Sequence, residues 1–106
     1  MTTLEALRGI NAYPIPYRTL ETAAVRHGLV LANPATTEVM SSAGYKLACA
    51  ELYRWLSIAP NISQGGQTYS FTDEQRLQFR LHADELEAEA DAEAPKTIYG
   101  YKGSRL

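Results

Sequence analysis

The stretch Ala59 to Gln75, APNISQGGQTYSFTDEQ, constrains this chain more than any other. It holds a helix stop, a glycine pair, a short alternating run and a new helix start, with nothing between them. Thr72-Asp73-Glu74-Gln75 is a capping box: the Thr72 hydroxyl suits the Gln75 amide, and the Gln75 side chain can reach back. The most apolar helical pattern of the chain precedes this stretch, and the most charged one follows it. The stretch is therefore a shaped connector between two packed helices. It carries aromatic residues and no catalytic set.

The helix before the connector is predicted to begin between Pro34 and Ser42 and to end at Ala59, ahead of Pro60. Val39, Met40, Ala43, Leu47, Ala48, Ala50, Leu52, Trp55, Leu56 and Ile58 cover most of its circumference, so it is expected to be central. Trp55 and Leu56 are expected in the main core with Leu47 and Leu52. Gly44, Ala43, Ala48 and Ala50 would let another backbone come close. Tyr45 and Tyr53 can bury rings and keep their hydroxyls wet.

The helix after the connector is predicted to run to about Ala90. Phe79, Ala83, Leu86 and Ala90 form a stripe against the preceding helix, with Leu77 and Leu81 beside it. Asp84, Glu85, Glu87, Glu89, Asp91 and Glu93 follow without a base. Acids oppose the dipole at a helix C-terminus, so this end is expected to fray.

The first third reads as short pieces hung on that body. Thr3 to Arg8 suits a short helix capped by Thr3 and ended by Gly9. Tyr13-Pro14-Ile15-Pro16 is extended, because each proline disfavours helix in the residue before it. A second helix is expected from about Thr19, as N-cap, to His27, with Gly28 as its stop. The fold class is thus an all-α compact bundle of about four helices, with room for a short strand or hairpin in the loop before the last helix. Residues 1–95 form the helical domain and 96–106 a basic, flexible tail.

At 106 residues, with 45% hydrophobic and 21% charged residues, the chain is one domain with a single core. A net charge of −2 argues against nucleic acid or membrane as the main partner. The single cysteine, Cys49, reads as a buried thiol in a reducing compartment. MTTLEALRGI lacks the basic start and apolar run of a signal peptide, and no stretch is long enough to span a bilayer.

Chemistry-bearing patterns are sparse. His27 and His82 form no metal-ligand pair, and one cysteine excludes a cysteine-rich zinc site. His82 with Glu85 offers two ligands, too few for a metal. No Gly-x-Ser-x-Gly elbow, Gly-x-Gly-x-x-Gly or phosphate-binding Gly-Lys-Ser/Thr follows any glycine. The expectation is a non-enzymatic protein without cofactor.

Two segments qualify for binding. In Gln67 to Phe71, Tyr69 and Phe71 fall on one side, with Thr68 and Ser70 on the other. Either Phe71 staples the next helix and the loop is ordinary, or the run is an exposed strand that pairs with another subunit. On the second view Ile62 to Phe71 is mobile in a monomer and ordered by a neighbour. The tail carries Lys96, Tyr99, Tyr101, Lys102 and Arg105. It suits a flexible terminus, a weak salt-sensitive contact with nucleic acid, or docking on the acidic helix end of an adjacent copy. The last is favoured, because the chain encodes both partners.

A helix rich in tyrosine and tryptophan ending in APNIS, the Gly-Gly turn, the YSF run and the capped TDEQ helix resemble the small phage head–tail connector (adaptor) proteins. The TLEAL start and the YPIPYRTLETAAVRHGL segment resemble them too, especially forms from phages and prophages of gut Bacteroidetes. The likeness covers most of the chain in layout, and Tyr45 to Gln75 carries it. It implies a helical subunit that assembles as a ring beneath the portal, with the loop before the last helix touching a neighbour. That loop is Ile62 to Phe71, so Ile62, Gln64, Gly65, Gly66, Tyr69 and Phe71 are its interface candidates, joined by the five tail residues. The implied partners are copies of the chain, a portal protein and a tail or stopper protein, in a virion component assembled in the bacterial cytoplasm. Specific nucleic-acid binding is not expected. The alternative is a small bacterial regulatory or interaction domain that binds DNA or a protein through the basic tail.

Overall fold

A computed structural model describes residues 1–93. Its described part is mostly helical, with one small antiparallel sheet. The order is α1 (Thr3–Arg8), α2 (Tyr17–Arg26), α3 (Thr37–Met40), α4 (Ala43–Ile58), β1 (Ile62–Gln64), β2 (Gln67–Tyr69) and α5 (Asp73–Glu93).

The start of α1 is set by Thr2, not Thr3. The Thr2 hydroxyl accepts from the Glu5 amide, and the Glu5 carboxylate accepts from the Thr2 amide at 2.7 Å. Thr3 lies one step inside the helix and is buried, its hydroxyl donating to the Asn33 carbonyl at 3.0 Å. The free amides of the first turn also find partners, Thr3 on Asn33 and Leu4 on Leu31. Segment 31–35 thereby pins the N-terminus from outside.

The second helix begins at Tyr17, two residues before the expected Thr19 cap. Pro16 presets the entry, and its carbonyl accepts from both the Thr19 and Leu20 amides. Its end follows expectation. Gly28 takes φ +75°, the Leu29 amide reaches back to Ala24 and the Gly28 amide to Val25. This is the paired closure that favours glycine at a helix end.

The expected third helix is two helices. Thr36 caps α3, and the Ser41 hydroxyl bonds the Thr37 carbonyl at 2.7 Å as that turn closes. Ser42 then caps α4 through the Tyr45 amide. Two serines that prefer caps to helix interiors split the run.

The core gathers around α4. Leu7, Leu20, Leu52 and Leu56 are fully buried, with Tyr13 and Ile15 from the extended proline segment beside them. Trp55 and Leu47 do not join the centre as expected. Trp55 is half-buried at the core edge, and Leu47, about 140° round the helix from Leu52, is also half-buried. Tyr45 lies against Cys49, and burial favours the neutral forms of both, pushing the thiol up to about 11 and the hydroxyl further. The expectation of wet hydroxyls fails for Tyr45.

Helices α2 and α5 flank α4 on opposite sides. Glu51 meets His27 and Arg26 of α2's end, whereas Tyr53, about 200° round α4, meets Phe79 and His82 of α5. Close approach to the α2 side needs Gly44. A Cβ there would stand 2.6 Å from the His27 carbonyl oxygen. On the other flank α5 buries Ala83 and Ala90, with Phe79 and Leu86 half-buried, as its stripe predicts. Leu77 and Leu81 are not beside that stripe. They lie about 200° from Phe79 and Ala83 and face away from α4, 44% and 46% exposed.

α5 is helical to Glu93, a few residues past the expected end at about Ala90. Arg54 of α4 donates to Asp84 at 2.6 Å and to Glu87 at 2.7 Å, and Lys46 pairs with Glu89 at 3.6 Å. These bases answer the acids whose repulsion would unwind it.

Candidate functional site

The connector folds as a two-residue β-hairpin. Ile62 pairs with Tyr69, Ser63 with Thr68 and Gln64 with Gln67. Gly65 and Gly66 close it at φ +59° and +79°. Such a turn needs positive φ at both central residues, which glycine supplies without strain. The expectation of an unpaired alternating run is therefore corrected: the strand finds its partner within the chain.

The hairpin is tied down at its base. Phe71 stacks on Tyr13 with ring centroids 5.5 Å apart and meets Phe79 edge-on at 4.8 Å. Tyr13 also receives Trp55 and Tyr69 as edge contacts. Its hydroxyl donates to the Pro60 carbonyl. Arg76 completes the anchor. Its guanidinium donates to the Ser57 and Ala59 carbonyls at 3.2 and 2.7 Å and to the Asn61 side chain at 2.9 Å, and lies 5.6 Å over the Phe71 ring. A cation thus satisfies the carbonyl end of α4. The Asn61 carboxamide oxygen also accepts from the Phe71 amide. The Thr72–Gln75 capping box forms as predicted.

These contacts divide the candidate residues. Ile62, Tyr69 and Phe71 turn inward and pack on the core. Gln64, Gly65 and Gly66 stand exposed at the tip. Tyr13 and Arg76 thus hold the base of the hairpin to the body of the same chain. Lys96, Tyr99, Tyr101, Lys102 and Arg105 lie outside the described residues. On their expected docking surface Asp84, Glu85, Glu87 and Glu89 already have partners in the same chain, and Asp91 is exposed.

Sequence reasoning missed two outward apolar faces. On α2, Tyr17, Glu21 and Val25 follow at four-residue spacing and border a groove of about 320 Å³ that Leu29, Val30 and Leu31 complete. Val25 is 71% exposed. On α5, Leu77 and Leu81 form the second face. Helical spacing signalled both, but one apolar edge looks like any other until a core claims its share.

The two histidines lie on different flanks of α4. His27 Nε2 lies 3.1 Å from Glu51, and His82 Nδ1 lies 3.4 Å from Glu85 on the open surface of α5. Among the described residues no three His, Cys, Asp or Glu side chains group as a metal site, and no helix is long and apolar enough to cross a membrane. No family model, curated protein or solved structure matches the chain.

Proposed function

We propose that this chain is a non-enzymatic structural subunit of a phage head–tail connector, a compact helical bundle that assembles as a ring between portal and tail. The observation that carries this reading is the pair of apolar faces on opposite flanks of α4, one on α2 and one on α5. Two different faces on opposite sides suit head-to-tail repetition, which closes into a ring when the rotation permits. The sequence likeness to head–tail connectors over Tyr45 to Gln75 supports the same reading. So does a hairpin, tied down at its base, that presents Gln64, Gly65 and Gly66 at an open tip.

Under this proposal the partners are copies of the chain, the portal protein and a tail or stopper protein. The protein is a virion component put together in the bacterial cytoplasm, with no cofactor. The hairpin tip touches a neighbouring subunit. Lys96, Lys102 and Arg105 engage the Asp84 to Glu93 surface of a neighbour.

Native mass measurement and electron microscopy of the purified chain, alone and with a portal ring, test the reading. Closed rings, or ordered binding to the portal, are expected. A chain that stays monomeric with portal present, and binds duplex DNA in a salt-sensitive way, would replace it with the regulatory alternative.

A further inference from the structure

We infer that the segment after α5, residues 94–106, folds back over the outward groove of α2 in the same chain and covers it in the free subunit. This inference stands without the ring proposal. The groove is open, with Tyr17, Val25 and Val30 exposed along it. An apolar patch of this kind marks an interaction surface.

Helix α4 brings the end of α5 to the mouth of that groove. Arg54 meets Asp84 and Lys46 meets Glu89, so α5 runs antiparallel to α4 and its last turn stands at the N-terminal end of α4. The groove opens at the same end. Its Leu29 side chain would lie 3.8 Å from a Cβ at Gly44, the second residue of α4. Two helix–helix spacings across α4 put the axes of α5 and α2 about 16–20 Å apart. Residues 94–106, fully extended, span about 43–47 Å. The segment therefore has the length to round the end of α4 and still run along α2.

The order of residues then matches the groove. In the segment, Ile98, Tyr99 and Tyr101 come first, and Lys102 and Arg105 follow without an acid. From the Leu29 end, the groove presents Val25 first and Glu21 one helical turn further along α2. Apolar side chains meet apolar walls, and the bases arrive at the acid. Glu21 is the one charge among the described residues of this groove; Arg18 lines a separate cleft with Trp55 and Glu51. A short tether holds its end at about millimolar effective concentration, so a contact of modest area suffices. In the ring the same bases serve a neighbour, so the two contacts exclude one another and assembly uncovers the groove.

Paramagnetic relaxation in the full chain tests this contact. A nitroxide is attached through Ser104→Cys, and the buried Cys49 is shielded from the label. In dilute, monomeric protein the nitroxide should broaden the amides of Glu21 and Val25 and leave those of Gly65 and Leu77 sharp. Val25→Asp, at an exposed position, should lower the docked population about tenfold, and so should Tyr99→Ser with Tyr101→Ser. Circular dichroism verifies that both variants are folded. Broadening centred on Asp91 instead, or none at all, overturns the inference. Broadening at Val25 that survives both variants overturns it too. A mixture of nitroxide-bearing chains with isotope-labelled chains that lack the nitroxide separates one copy from another. The labelled amides should stay sharp there; equal broadening would give the groove to a neighbour's segment and overturn the fold-back. None of these readings depends on ring formation, so their failure leaves the connector proposal to its own test.

Discussion

The Tyr13 hydroxyl donates to the Pro60 carbonyl at 2.6 Å across 47 positions of sequence, joining the extended proline segment to the end of the central helix. The same ring stacks on Phe71, so one side chain fixes both the first turn after α4 and the base of the hairpin.

Tyr13→Phe keeps the ring and removes the donor. It should cost about 0.5–1.5 kcal/mol, and faster amide exchange should appear first at Ile62 to Phe71. Unchanged exchange there would mean that the ring contacts alone hold the hairpin.

Gly44→Ala should destabilise the protein by about 1–3 kcal/mol, the usual cost of overpacking. The new methyl would stand 2.6 Å from a backbone oxygen that cannot swing away. Helix propensity alone acts in the opposite direction, favouring alanine by about 0.5–1 kcal/mol. The sign of the change in urea midpoint therefore decides which effect wins.

Arg54→Ala removes bonds to Asp84 and Glu87. Arg54 is partly exposed, so each pair contributes only about 0.2–1 kcal/mol. The loss should shrink in 1 M salt, where screening acts within about 3 Å. Helicity should fall in the C-terminal half of α5, where the acids would be left without their base. A loss independent of salt would assign the role of Arg54 to packing.

Glu5 gives a pH prediction. Hydrogen bonds from the Thr2 amide and then the Thr2 hydroxyl hold its carboxyl below the ordinary carboxylate range. A group depressed in the folded state stabilises above its unfolded pKa, and the benefit is lost as pH falls through the folded value. The N-terminus should therefore loosen from segment 31–35 in acid, below about pH 4. Carbon-detected titration of Glu5 should give a midpoint below that of an unstructured peptide, and Glu5→Ala should remove the acid sensitivity of α1. An ordinary midpoint would show that the cap is not populated in solution.

Much of the local structure was legible because its signals sit within a few residues. The Thr72–Gln75 box, the Gly28 stop and the stripe of Phe79, Ala83, Leu86 and Ala90 each rest on spacing alone, and each forms as the spacing predicts. The start of α1 was misread because Thr2 and Thr3 are chemically equivalent caps; the Asn33 carbonyl, 30 positions away, settles which is buried. The break at Ser41–Ser42 was hidden by the apolar residues on either side of it. The hairpin allowed for before the last helix forms, on the strong two-residue turn chemistry of Gly65-Gly66. Arg76 and Arg54 carried no local signal: a cation's partners across the fold cannot be read from its neighbours in sequence. The candidate surface was misjudged for a related reason. Tyr69 and Phe71 suit an outward strand face, but Tyr13 covers them, while Leu77 and Leu81, expected beside the packing stripe, are left outside.

The placement of α1 and α2 against α4 also sets an order of events during synthesis. Leu7 and Leu20 leave the ribosome before Leu52 and Leu56 exist to cover them. At about 5–20 residues per second, the roughly thirty residues from the end of α2 to the end of α4 take about 2–6 s. The α4–α5 contacts wait as long again, since Arg54 and Glu87 stand 33 positions apart. The nascent N-terminal third therefore waits with Leu7 and Leu20 uncovered until α4 is made, which makes it the first part of this protein that a chaperone would meet.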